Sequence, residues 1–217
     1  MGDGPSAGDL PPRDGGLPGG VVLGAETLPG LDAALRARPA GLGAGRLVCL
    51  DGPAGSGKTT LATLLQERWR ASLVHMDDLY EGWYGRDAGV RHLLDDVLAP
   101  LARGDEGRYR RYDWDADAPA EEHRVPPGPV LVVEGCGSAP RAVDGYDPLV
   151  VWVEVPADLR LRRGLARDGE AMRDHWLQWM AEEQDLYARE RTRERAQVHI
   201  DGTRGAIVVA RRNEEDA

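Results

Sequence analysis

Apolar residues along the chain fall into short continuous runs separated by stretches with helical spacing, and that alternation sets the expected architecture. Arg46–Leu50, Leu73–Met76, Val130–Val133 and Leu149–Val155 are short and apolar at nearly every position, as strands buried on both faces are. Lys58–Arg70 reads as the helix after the first strand, and Val90, Leu93, Leu94, Val97, Leu98 and Leu101 recur on one helical face. Pro156 suits the first turn of a helix running to about Asp168, and Ala171–Arg195 is a long, highly charged helical stretch. Val198–Ile200 and Ala206–Val209 supply late strand material. Leu31–Arg38 predicts a short helix ahead of a Gly41–Gly45 linker. Strands alternating with helices predict an α/β fold, a three-layer α/β/α sandwich around a mostly parallel sheet.

The two ends look different. Residues 1–30 are rich in Gly, Pro and Asp and can bury little, which predicts a disordered N-terminal arm before a domain over 31–210. Residues 211–217 form an acidic tail. A formal net charge of −10 argues against a general nucleic-acid surface, so any phosphate binding must be local. No apolar run approaches membrane-spanning length and no leader pattern opens the chain, so a cytoplasmic protein without membrane attachment is expected. Cys49 and Cys136 sit in or beside apolar runs and read as buried thiols, and the five histidines show no paired-ligand spacing. A homo-oligomer is left open.

The strongest chemical signal is Gly52-Pro53-Ala54-Gly55-Ser56-Gly57-Lys58-Thr59, a full GxxxxGK[ST] pattern between an apolar strand and a helix. Glycines let successive backbone N–H groups turn inward around a phosphate, and the following helix adds its positive end. Gly52, Ala54, Gly55, Ser56, Gly57, Lys58, Thr59 and Thr60 are the candidate contacts to ATP or another nucleoside triphosphate. Lys58 can reach the β- and γ-phosphates, and the Thr59 hydroxyl can ligate Mg²⁺. Lys58 is the only lysine, the other 26 basic residues being Arg, which suggests that the loop requires a compact ammonium. The competing reading, a Gly-rich turn that binds nothing, fits motif and context poorly.

Nucleotide binding does not name a reaction. The chain lacks a guanine-reading NKxD, the Asp-Glu pair of motor and transporter ATPases, and an LSGGQ-like signature. Those absences favour a small-molecule kinase. Four segments taken together resemble the uridine kinase branch of the P-loop nucleoside kinases. They are the phosphate loop, His75-Met76-Asp77-Asp78-Leu79-Tyr80, Val133-Glu134-Gly135, and the run Asp158 to Asp168. The resemblance covers roughly residues 46–202. It departs at Leu79, where the family has Phe, and at Asp113-Trp114-Asp115, which stands for an Asp-His-Pro substrate loop.

The resemblance implies Mg·ATP-dependent phosphorylation of a small-molecule hydroxyl, with a nucleoside-like acceptor. Its catalytic aspartate matches Asp77, which would accept the hydroxyl proton, although either Asp77 or Asp78 could instead cap a helix. Tyr80 would line the acceptor pocket or serve the core. Glu134, ending an apolar strand, would stand beside Mg²⁺ or be a plain strand-end carboxylate. Lid arginines match Arg163 and Arg167, in a lid around Arg162–Glu170, while Arg160 and Arg162 are read as a solvated helix face. Tyr112, Asp113 and Trp114 belong to an alternating aromatic and acidic stretch, a hairpin over the substrate or an edge hairpin packed on the core. Trp176 and Trp179 are read as helix–core anchors. Two further readings remain: a kinase of another alcohol, such as a sugar acid or natural product, and a nucleotide-dependent switch or binding module.

Overall fold

A computed structural model describes residues 27–82, 85–203 and 206–209. Most of the expected N-terminal arm and all of the acidic tail lie outside these residues. The arm as expected is nonetheless too long: α1 spans Thr27–Arg36, beginning before Leu31 and ending before Arg38, with Thr27, Leu31 and Leu35 buried. The apolar side of this short helix packs on the sheet, and burial there outweighs the weak helix signal of Pro29 and Gly30.

The sheet holds β1 (Arg46–Asp51), β2 (Ser72–His75), β5 (Val130–Glu134), β6 (Leu149–Glu154), β7 (Val198–Asp201) and β8 (Ala206–Val209), in the order β2-β5-β1-β6-β7-β8. The first five are parallel and β8 closes the edge antiparallel to β7. β1 is central, and its side chains alternate between two cores. Leu47 and Cys49 join one; Val48 and Leu50 join the other. An unbroken apolar run is what a strand with both faces covered requires.

One core is covered by α1 and α2 (Lys58–Trp69). The other lies under the helical stretch α4 (Arg86–His92), a π-helical turn Leu93–Leu98, and α5 (Ala99–Ala102). The π-turn keeps Leu93, Val97, Leu98 and Leu101 all buried despite their uneven spacing. Met76, expected to end the second strand, instead opens the one-turn helix α3 (Met76–Leu79). The hairpin β3 (Gly107–Asp113) and β4 (Ala118–Val125) forms a separate two-stranded sheet packed on α3 and the π-turn.

Beyond β6, α6 (Ala157–Asp168) runs against α7 (Arg173–Glu190), and a short α8 (Thr192–Arg195) follows. The long charged stretch is therefore not one helix: Arg191 adopts φ 52°, a left-handed cap that ends α7. α6 and α7 meet at Gly164, where an added Cβ would lie 2.2 Å from the Trp176 ring. Gly164→Ala is expected to cost about 1–3 kcal/mol by forcing that ring aside, seen as a lower thermal midpoint. An unchanged midpoint would show the two helices pack loosely. Among the described residues, no helix is long and apolar enough to cross a membrane.

Candidate nucleotide and acceptor site

The site forms where the carboxyl ends of β1, β2 and β5 open beside α2, the crevice that parallel α/β sheets use for ligands. β1 ends at Asp51, fully buried, whose carboxylate accepts the N–H groups of Gly52, Gly137 and Ala139 and the Tyr187 hydroxyl. Burial raises its pKa, against the pull of those N–H donors and of Lys58. Asp51 thus ties the root of the phosphate loop to the segment after β5. Gly52 turns the chain with φ 137°, and a Cβ there would lie 2.2 Å from the Val153 carbonyl oxygen, so only glycine fits.

The loop then delivers Lys58 and Thr59 into the first turn of α2. Lys58 is buried, and its ammonium donates to the carbonyls of Gly52 (2.7 Å) and Pro53 (3.0 Å), with the Cys136 sulfur at 3.6 Å. Burial works against its charge, yet its pKa lies above the ordinary value because Cys136, Glu134, Glu183 and Asp51 surround it. Burial pushes the Cys136 thiol well up, so it keeps its proton and the carboxylates are the effective partners. Ser56 is wholly buried, and its hydroxyl oxygen has no hydrogen-bond partner.

Thr59 is exposed at the mouth, and its hydroxyl donates to Glu134 Oε1 at 3.1 Å. The same oxygen faces His75 Nδ1 at 2.6 Å. Burial opposes the His75 charge, but the Glu134 hydrogen bond and charge prevail and raise its pKa. Two hard oxygen donors side by side at a phosphate loop fit Mg²⁺, which takes few protein ligands and fills its octahedron with water and phosphate oxygens.

Asp77 and Asp78 part company on α3. Asp78 is buried at 6% exposure, whereas Asp77 is exposed; the helix cap position is His75, so neither carboxylate occupies it. The hairpin tip reaches this turn, since the Trp114 indole N–H donates to the Asp77 carbonyl at 2.9 Å. Asp113 shapes that tip, accepting the N–H groups of Asp115 and Ala116 and an Arg111 N–H. Tyr112 is buried, edge-on to Trp114, with its hydroxyl bonded to Asp117. Tyr80 is 1% exposed and donates to the Cys136 carbonyl, a core position. A cavity of about 320 Å³ lies between α3, α4 and the hairpin, lined in part by Asp78, His92, Tyr109 and Tyr112; no phosphate-loop residue lines it.

The lid arginines divide. Arg163 donates to the Gly55 carbonyl and lies near that of Gly202, while Arg167 pairs with Asp168 beside the Trp176 ring and within electrostatic reach of Asp77. Arg162 is exposed and pairs with Asp158, as a solvated face requires. Arg160 is a correction. It is buried, donating to the Val155 and Ala54 carbonyls and facing Glu183, because α6 lies against the loop rather than in water. Sequence reasoning also missed Glu183, 1% exposed in the charged α7, which accepts the Ala54 N–H at 2.7 Å. That N–H is therefore engaged by protein, whereas Ala54 was expected among the phosphate contacts. Trp179, expected as a core anchor, donates to Glu183, and Arg86 lies over its ring.

Loop, sheet order and helical cover define the P-loop kinase fold. Solved structures that share it include the following two. One, from Bacillus stearothermophilus and described as a possible uridine kinase, is 20% identical with a TM-score of 0.59, covering 81% of this chain and 98% of its own. The other, from Silicibacter sp. TM1040 and described as a candidate fructose transport system kinase, is 24% identical with a TM-score of 0.51, covering 77% and 92%. No protein-family model and no curated protein matches the sequence.

Proposed function

We propose that the protein is a cytoplasmic Mg·ATP-dependent kinase that phosphorylates a hydroxyl of a small molecule, with a nucleoside or nucleoside-like compound as acceptor. The observation that carries this is the convergence of three groups at the carboxyl end of the sheet. Lys58 sits in the loop, Thr59 and Glu134 lie 3.1 Å apart at its mouth, and the exposed Asp77 stands under the hairpin tip. The uridine kinase described for one structural neighbour supports the acceptor class.

In this reading the loop N–H groups and Lys58 would hold the phosphates, and Thr59 and Glu134 would hold Mg²⁺, which would offset phosphate charge. Asp77 accepts the proton of the attacking hydroxyl and aims it in line. Arg167 adds positive charge where the phosphoryl group is in flight. The hairpin carries Trp114 over the acceptor and excludes water. A panel of nucleosides, sugars, sugar acids and other alcohols, assayed with Mg·ATP for ADP release and product mass, tests it. Turnover confined to non-nucleoside alcohols would move the acceptor class, and ATP hydrolysis indifferent to every alcohol would sink the kinase reading.

The arginine and hairpin roles separate kinetically. Arg167→Ala is expected to lower kcat by about 10–100-fold with the acceptor KM nearly kept, since its charge matters most in the transition state. Asp113→Ala is expected mainly to raise the acceptor KM, because the turn that carries Trp114 to Asp77 loses its organising carboxylate. Steady-state kinetics with the best acceptor checks both. An Asp113→Ala enzyme with unchanged KM and kcat would make the hairpin purely structural.

A further inference from the structure

Within the phosphate loop the Ser56 N–H donates to the Pro53 carbonyl at 3.3 Å, and Lys58 bonds the Gly52 and Pro53 carbonyls. Between Gly52 and Gly57 the loop contains only glycine, proline, alanine and serine, and its one side-chain hydroxyl, Ser56, has no hydrogen-bond partner. The turn at Ala54 is also fixed from outside. Glu183 accepts the Ala54 N–H at 2.7 Å, and Arg160 donates to the Ala54 carbonyl at 3.2 Å. The two side chains face each other at 3.3 Å, and both are buried. Further hydrogen bonds hold both side chains. Glu183 accepts from Trp179 at 2.8 Å and from the Cys136 thiol at 3.0 Å, and Arg160 Nε donates to the Val155 carbonyl. Such additional partners are what a buried ion pair needs to persist.

From this geometry we propose that Arg160 and Glu183 are a positioning pair that sets the phosphate loop in its nucleotide-binding shape, a role that rests on the nucleotide-binding part of the function above. By fixing the peptide groups on both sides of Ala54, the pair sets the course of the loop backbone ahead of α2, where the Ser56 N–H stays on the Pro53 carbonyl at 3.3 Å. Its neutrality matters as much as its hydrogen bonds. A lone Glu183 carboxylate behind the loop would repel the anion that the loop must accept, and Arg160 cancels that charge. The pair also links α6 and α7, one from each residue, to the same loop residue.

The sign of the charge gives a test that a merely structural role would not pass. Binding of a non-hydrolysable ATP analogue with Mg²⁺ is measured by calorimetry without acceptor, with thermal midpoints recorded alongside. Arg160→Met is expected to weaken binding by about 10–100-fold, the range of a lost charge-assisted contact plus an uncancelled carboxylate. Glu183→Gln, which keeps an oxygen for the Ala54 N–H, is expected to weaken it by no more than about threefold. Adding Glu183→Gln to Arg160→Met should restore at least about threefold of the lost affinity by removing the repelling charge. A double variant binding no better than Arg160→Met, or singles binding like wild type, would overturn the proposal. If Arg160→Met does not fold, Glu183→Ala replaces it and must bind at least about threefold more weakly than Glu183→Gln, or the proposal fails. Because no acceptor is present, failure of every alcohol in the turnover panel leaves these outcomes readable, while a wild-type chain that binds no nucleotide overturns the reading beneath them.

Discussion

Lys58→Ala is expected to abolish ATP binding and to lower turnover by at least about 10³-fold, with the far-ultraviolet circular dichroism spectrum unchanged. No other lysine exists in the chain, and the Arg residues near the loop are already engaged with carbonyls and carboxylates. The Lys58 ammonium bonds the Gly52 and Pro53 carbonyls, at the loop that would hold the phosphates. Losing it orphans two carbonyls at the loop rather than any part of the two apolar cores. Some loss of thermal stability is thus compatible with the mechanism, and Lys58→Met, which keeps the apolar stem, should show less of it at equal loss of turnover. Calorimetric binding and initial rates decide the matter. Near-normal turnover in either variant would sink phosphate-loop chemistry for this protein.

Asp77→Asn is the second change with a large expected effect. The carboxylate is exposed next to the hairpin tip, and the amide keeps its shape while removing its capacity to take a proton. kcat should fall by about 10²–10⁴, with ATP affinity nearly kept. Asp78→Asn should behave differently, lowering thermal stability while sparing kcat, because Asp78 is buried on the same turn. The reverse pattern, a silent Asp77→Asn and a damaging Asp78→Asn, would move the base by one residue. Burial is what separates these neighbours, whereas the sequence ranked them by the strand end and by the resemblance to the uridine kinase branch.

The parallel sheet was legible because each central strand is buried on both faces, and only apolar residues satisfy that without partners. β1, β5 and β6 stand where the apolar runs are, within about a residue at each end. The phosphate loop was legible for a related reason: backbone N–H groups can face an anion only where side chains are absent, and that demand is written in glycines. Arg160 and Glu183 were illegible. Each lies in a run of charged residues whose neighbours do face water, and Arg162 two positions on does so. Which charge turns inward depends on where α6 and α7 cross, and that crossing is set by Gly164 meeting Trp176, a contact between residues twelve apart.

The sequence by itself thus determined the class of fold and the position of the phosphate loop, with the lysine and threonine that open its helix, because these rest on local backbone demands and on strict burial. Only the tertiary structure decided which acids and arginines lie at the loop. It brought Glu134 to Thr59 across 75 positions and Glu183 to Ala54 across 129, and placed the Trp114 indole on Asp77 across 37. No local pattern encodes such pairings, since a carboxylate serves equally well at a solvated surface or in a buried network. What separates the two is desolvation and the partners that offset it, and both are properties of the assembled chain.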